Sequence, residues 1–149
     1  MKNLIIVGHP DINSFCYSGI YKTIQDELSK NDEDIVTIDL YRDSFTRPRN
    51  NLIKKYQELV TWCERIYFIS PVWWFRLTPR MEIFFDEVFT QGFAYKFVNI
   101  TKLYAYPKPF LKDKKVRTYV THGAPALPVI TLYLNSVKLR LVMGAVSYT

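Results

Sequence analysis

Glycine, cysteine and histidine are scarce in this chain, at 5, 2 and 2 residues of 149. Cys16 and Cys63 follow neither CxxC nor metal-ligand spacing, which excludes a disulfide framework and leaves free thiols as the expectation. Neither histidine has a second His, Cys or carboxylate at ligand spacing, so no metal site is read. So few glycines exclude a collagen-like chain, and 48% hydrophobic with 16% aromatic content excludes disorder. The longest stretch without a charge, 118–137, is broken by His122, Pro125, Pro128 and Asn135, so no membrane span is expected. Only Lys2 precedes the short apolar run Leu4-Ile5-Ile6-Val7, and Gly8 and Pro10 follow it. That is no signal peptide, and the expected compartment is the cytoplasm. Neither GxGxxG nor GxxxxGK[ST] occurs, which disfavours a Rossmann dinucleotide site and a P-loop.

Acidic residues are also missing from one end. Residues 1–87 carry 11 basic and 13 acidic groups, whereas residues 88–149 carry 9 and 1, so the second part is +8 within a total of +6. Lys108, Lys112, Lys114, Lys115 and Arg117 cluster in what reads as one loop entering a strand. Two readings stand: a solvated loop, or attraction of an anionic ligand such as a phosphorylated cofactor. No recognised nucleic-acid motif accompanies the charge, and nucleic acid is not an expected partner.

What is present is an alternation of strands and helices. The apolar run at 4–7 is followed by Ile20, Ile24 and Leu28 at helical spacing; 35–40 is β-branched, and Leu52, Ile53, Tyr56, Leu59 and Val60 mark a second amphipathic helix. A third strand at 66–69 ends at Ser70-Pro71, and Thr78-Pro79 supplies an N-cap and N1 proline for the helix carrying Ile83, Phe84 and Val88. A fourth strand is expected at 116–121, a helix at 129–143 and a fifth strand from 145 to 148. Nearly all-apolar strands alternating with helices predict one α/β domain over 1–149, a parallel sheet with helices on both faces. Ligands of such sheets bind beyond the carboxyl ends of the strands, which directs attention to three loops.

The first loop, HPDINSF, enters a helix, so Asn13 or Ser14 serves as N-cap or as phosphate ligand. The second, PVWWF, sets Trp73, Trp74 and Phe75 after a buried strand, either as packing or as stacking surface for a flat ligand such as a flavin. The third, THGAPA, offers His122, Gly123 and Ala124, small enough at Gly123 for close approach by a ring.

Four segments, HPDINSF at 9–15, SPVWWF at 70–75, DEVFTQGFAY at 86–95 and THGAP at 121–125, resemble the NAD(P)H:quinone oxidoreductase and modulator-of-drug-activity family of flavodoxin-like flavoproteins. The resemblance implies a five-stranded parallel sheet of order 2-1-3-4-5, bound FMN or FAD, NAD(P)H as co-substrate, and a homodimer with sites at its interface. By position, His9, Asn13, Ser14, Phe15 and Cys16 match the loop around the flavin phosphate and ribityl chain. Pro71, Val72, Trp73, Trp74 and Phe75 match the loop along the isoalloxazine. Thr121, His122, Gly123 and Ala124 match the loop near its N1 and O2 edge, and Tyr95 matches a tyrosine of the substrate pocket. Tyr95 and His122 are the candidate catalytic side chains. His9 as a packed histidine and Tyr95 as interface packing remain open. The chain departs from the family at Glu82, where a lysine is common, at Gly123-Ala124, where two glycines are common, and in stopping at Thr149, before the family's final helix.

The implied activity is transfer of a hydride from NAD(P)H to flavin N5, then to a quinone-like acceptor. The alternatives are a flavodoxin-like electron carrier and an ancillary subunit of a potassium efflux system.

Overall fold

Four consecutive side chains of the first strand, Leu4, Ile5, Ile6 and Val7, are wholly buried. Successive side chains of a strand point to opposite faces, so this pattern requires cover on both. Leu4 and Ile6 join a cluster with Ile38, Val60, Ile66, Phe68, Met81 and Phe84. Ile5 and Val7 join a second with Tyr17, Leu28, Tyr67 and Ile69. Each buried aliphatic side chain contributes about 1.5–3 kcal/mol, and a one-residue slip of β1 would exchange the two sets.

The computed structural model describes residues 1–99, 105–123, 125, 127, 131 and 136–139. Its strands are β1 (Lys2–Val7), β2 (Asp34–Asp39), β3 (Arg65–Trp73), β4 (Arg76–Leu77), β5 (Tyr95–Asn99), β6 (Ala105–Pro109) and β7 (Lys115–His122). The helices are α1 (Lys22–Lys30), α2 (Asn50–Trp62), α3 (Pro79–Val88) and the short α4 (Ser136–Leu139). β2, β1, β3 and β7 lie side by side and parallel, from Lys2 opposite Asp34 to Val72 opposite His122. This is the expected doubly wound, flavodoxin-like α/β sheet, with β7 in the place of the fourth strand. α2 and α3 cover one face and α1 the other, following the two clusters. The strand expected from 145 to 148, and most of the helix expected over 129–143, lie outside the described residues.

Four local expectations change. β3 does not end at Ser70-Pro71 but runs to Trp73 and folds back as an antiparallel hairpin with β4, pairing Val72 with Leu77 and Trp73 with Arg76. The proline is accommodated because β1 ends its pairing with β3 at Ile69. Thr78 does stand before α3, with Pro79 at N1, but its hydroxyl makes no cap. It donates instead to the Gly8 carbonyl at 2.8 Å, tying α3 to the end of β1. The helix after β1 opens with a wide turn, Cys16–Tyr21, closed by the Lys22 N–H on the Tyr17 carbonyl. Here the Phe15 ring lies over Gly19, where a Cβ would approach it to 2.3 Å. Finally, β5 and β6 form a separate antiparallel ribbon within the segment read as motif and loop.

The basic cluster is likewise not one solvated loop. Lys108 lies in β6, and Lys115 and Arg117 lie in β7. The Lys114 side chain is only 8% exposed. Its ammonium donates to the carbonyls of Thr61 and Cys63 at 2.9 and 2.7 Å, clamping the end of α2 to the start of β7. Cys63 is fully buried, and burial pushes its thiol up to about 11 against the opposing pull of Lys114. Both cysteines are free.

Replacing Lys114 by Ala strands two carbonyls, so a loss of about 1–3 kcal/mol is expected, read as a fall in urea midpoint at unchanged m-value. Lys112→Ala, at an exposed turn position, should stay within about 0.5 kcal/mol of the parent.

Candidate functional site

The three loops singled out in the sequence meet at the carboxyl ends of β1, β3 and β7. Loop one touches loop two through the His9 and Trp73 rings, edge to face with centroids 6.0 Å apart. Loop two lies beside loop three because Pro71 pairs with Thr121 and Val72 with His122. Loop three returns to loop one through Cys16 Sγ and Thr121 Oγ1, 3.6 Å apart. Residues more than a hundred positions apart in sequence thus line one edge of the sheet.

Within the first loop, the Asp11 carboxylate accepts the Asn13 N–H at 2.8 Å, and the Asp11 N–H donates to His9 Nδ1 at 3.0 Å. The helix therefore has neither expected cap. Phe15 occupies the N-cap position without a side-chain bond, and Asp11 supplies the local turn. The Ser14 carbonyl accepts the N–H groups of Tyr17 and Ser18, but its hydroxyl is buried and has no hydrogen-bond partner among the described residues. A buried hydroxyl left unpaired costs about 1–3 kcal/mol. Cys16 is buried, and burial raises its thiol above the ordinary value, opposed by the Thr121 bond. That disfavours a nucleophilic thiolate.

In the second loop the strand residues and the turn residues separate. Pro71 is buried and Val72 packs against the main core, whereas Trp73, Trp74 and Phe75 are exposed by 41%, 92% and 40%. Trp74 and Phe75, at the turn of the β3–β4 hairpin, have φ of 49° and 61°. Two-residue hairpins favour this left-handed backbone, normally with Asn and Gly; a non-glycine residue there costs on the order of 1 kcal/mol or more. The hairpin holds three large rings outward at that cost. In the third loop, His122 and Gly123 are exposed, and a Cβ on Gly123 would meet nothing within 4 Å. Ala124 lies outside the described residues. Tyr95 stands apart from this edge, on the β5–β6 ribbon, half-buried against the main core with its ring 5.5 Å from Phe97.

A second layer beneath the first loop escaped the sequence reading. The Tyr17 hydroxyl donates to Asp39 Oδ2 at 2.6 Å, and Arg42 Nη1 donates to the His9 carbonyl at 3.0 Å and to the Tyr17 oxygen at 3.2 Å. Arg42 is also 3.7 Å from Asp39 Oδ1, with its guanidinium 5.2 Å from the Tyr17 ring centroid. Burial first, then the hydrogen bond and charge of Asp39, hold the Tyr17 phenol well above its ordinary value. The available signal was position: Asp39 closes β2, beside the carboxyl end of β1. Glu82, where the family resemblance expects lysine, accepts the Leu77 N–H at 3.2 Å and braces the hairpin to α3.

Tyr17→Phe removes the bridge between Asp39 and Arg42 and should cost about 1 kcal/mol. Amide hydrogen exchange should quicken in residues 9–16 and not in α2 or α3; uniform quickening would make the effect global.

A model of the family described as flavodoxin-like fold matches residues 1–129. In Bacillus subtilis, the uncharacterized NAD(P)H oxidoreductases YdeQ and YrkL are 33% and 34% identical over 95 and 96 residues, 64% of this chain in each case and 45% and 51% of theirs. The chain therefore spans about half the length of these relatives. Among solved structures, Smu.1420 from Streptococcus mutans superposes with a TM-score of 0.79 at 28% identity, over 99% of this chain and 81% of that one. General stress protein 14 from Treponema denticola, solved in complex with FMN, gives 0.65 at 23% identity over 99% and 79%, a likeness of fold. With the parallel order β2, β1, β3, β7 and the converging loops, the match over 1–129 establishes that the chain belongs to the flavodoxin-like fold family.

Proposed function

We propose that the chain is a flavin-dependent NAD(P)H oxidoreductase of quinone reductase type, with FMN as the resident flavin. The observation that carries the reading is the buried, partnerless Ser14 hydroxyl in the first loop, at an edge where exposed aromatic rings and an open glycine converge. An anion supplies the acceptor that this hydroxyl lacks, and hydrogen bonds to charged groups are about twice as strong as neutral ones. FMN rather than FAD follows the T. denticola protein, whose structure holds FMN. The oxidoreductase class follows the names of the B. subtilis relatives.

A bound flavin would supply the redox chemistry, accepting a hydride from reduced nicotinamide and returning reducing equivalents to a quinone-like acceptor. The chain supplies placement. His9, Asn13, Ser14, Phe15 and Cys16 form the phosphate end, with Ser14 as hydroxyl donor. The Trp73–Phe75 turn supplies stacking surface, and Gly123 leaves the ring edge unobstructed. His122, exposed at this edge, is the side chain proposed to hold a proton for the acceptor, whereas Tyr95 packs against the main core on the β5–β6 ribbon.

Titration with FMN should show one site per chain by flavin fluorescence quenching; a chain that takes up neither FMN nor FAD overturns the reading. Ser14→Ala should weaken FMN binding by about 1 kcal/mol or more, roughly fivefold in Kd. The apo protein should keep its Tm or gain slightly, because an unpaired buried hydroxyl is removed. A fall in Tm with unchanged Kd would make Ser14 purely structural.

Lys112 lies before β7 and Lys115 at its start, opposite Arg65 and roughly 23 Å from the His122 end where the loops meet. Lys112→Gln with Lys115→Gln should therefore leave kcat/KM for both NADPH and NADH unchanged at physiological salt. A loss selective for NADPH would return these lysines to cofactor recognition. Lys114 is left intact because it clamps the fold. Equal losses for the two cofactors would indicate general steering without recognition of the 2′-phosphate.

A further inference from the structure

The β5–β6 ribbon presents a face that the proposed reaction leaves without a role. Its register sets Lys96 opposite Lys108 and Val98 opposite Tyr106. Because side chains alternate along a strand, these four share a face with Phe110, two residues beyond Lys108. All five are exposed, with Val98, Tyr106 and Phe110 at 40%, 51% and 43%. The Lys96 ammonium lies 5.9 Å from the Phe110 ring centroid, so cation and aromatic surface are interleaved. The other face carries Tyr95, Pro107 and Pro109, each half-buried, together with the exposed Phe97, Asn99 and Ala105, and Tyr95 packs against the main core. The ribbon is thus seated on one face at its Tyr95–Pro109 end, and the lysine-bearing face is open along its whole length.

The open face is unfavourable in water by itself. Like charges directly across an antiparallel pair repel, and among the described residues no carboxylate forms an ion pair with Lys96 or Lys108. Residues 88–112 contain no Asp or Glu, and the next acid in sequence, Asp113, is paired with Lys114. Apolar side chains sit between and beside the lysines.

A partner that relieves both features must be anionic and must also receive apolar side chains. A second copy applying the same face across a two-fold axis sets lysines against lysines. Nucleic-acid phosphates would neutralise the lysines and bases would stack on Tyr106 and Phe110, yet aliphatic Val98 would gain little. The boundary region of an anionic bilayer meets all three needs: phosphate for the lysines, the interface for Tyr106, and the upper acyl chains for Val98 and Phe110. We propose that this face docks the protein on anionic lipid headgroups, as a surface contact and not a span. Among the described residues no helix is long and apolar enough to cross a membrane. Docking there would bring the protein to acceptors dissolved in lipid.

The test is flotation of the full chain with vesicles of phosphatidylcholine alone or mixed with phosphatidylglycerol, at low and high salt. Binding is expected to the mixed vesicles and to fall as salt rises. Lys96→Glu creates a cross-strand ion pair with Lys108, so Tm should hold or rise while partitioning falls by roughly 25-fold, about fivefold for each lysine neutralised. Lys55→Glu on α2, an exposed position with the same change in charge, should retain most of the binding. Tyr106→Ala should weaken binding without changing its salt dependence. No preference for the anionic vesicles, or equal losses in Lys96→Glu and Lys55→Glu, overturns the proposal. So does binding to a single-stranded oligonucleotide but not vesicles, or a shift in oligomeric state by Lys96→Glu without vesicle binding. Flotation requires no flavin, so its failure is distinguishable from failure of the proposed redox reaction.

Discussion

Burial of β1 on both of its faces is the constraint from which the site geometry follows. Four adjacent apolar side chains cannot be covered by one layer of helices, so the chain must supply α1 on one side and α2 with α3 on the other. Once β1 is central, its parallel neighbours bring their carboxyl ends to one edge. The loops after β1, β3 and β7 then meet without any long-range specificity of their own. The Thr78 hydroxyl bound to the Gly8 carbonyl draws α3 onto that edge. Gly8 is suited to the contact because a Cβ there would lie 3.0 Å from Met81 Cε and 3.1 Å from Thr78 Oγ1.

Polar groups around the edge divide into two kinds. Asp39, Tyr17 and Arg42 satisfy one another and the His9 carbonyl, which holds the base of the first loop. Arg80 donates to the Leu40 carbonyl, and its guanidinium lies 4.8 Å from the Tyr41 ring centroid, fixing the chain just beyond β2. Above this bonded layer, Ser14 alone among these groups keeps a buried oxygen without a bond among the described residues. A supported layer beneath an incompletely bonded one is the arrangement expected where a rigid scaffold presents a surface to a ligand.

The fold was legible because its signals were periodic. The apolar run of β1, the i, i+4 spacing of α1 and the Thr-Pro start of α3 are local patterns with tertiary meaning. The misread parts had no such pattern, or had one that another contact overrode. Ser70-Pro71 reads as a stop, yet the strand continues because the edge beside Pro71 is free of β1. Lys114 reads as one more surface lysine, and only the carbonyls at the end of α2 reveal it as a clamp. Ser14 reads as a cap until Asp11, three residues earlier, is seen to make the turn. The loops were found from sequence, while the Tyr17, Asp39 and Arg42 support joins the wide turn after the first loop to the end of β2 and the segment beyond it, and only the position of Asp39 hinted at it.

The left-handed backbone at Trp74 and Phe75 bears on how this protein would respond to selection for robustness. Asn-Gly at those positions relieves backbone strain, and a screen for thermal resistance alone would favour it. Two bulky rings occupy positions where turn chemistry favours Asn and Gly, so the hairpin displays aromatic surface at a cost in stability. Thermostabilising this fold would therefore erode its candidate site first at the turn, while the buried faces of β1 and β3 have no such conflict between keeping the protein folded and keeping it useful.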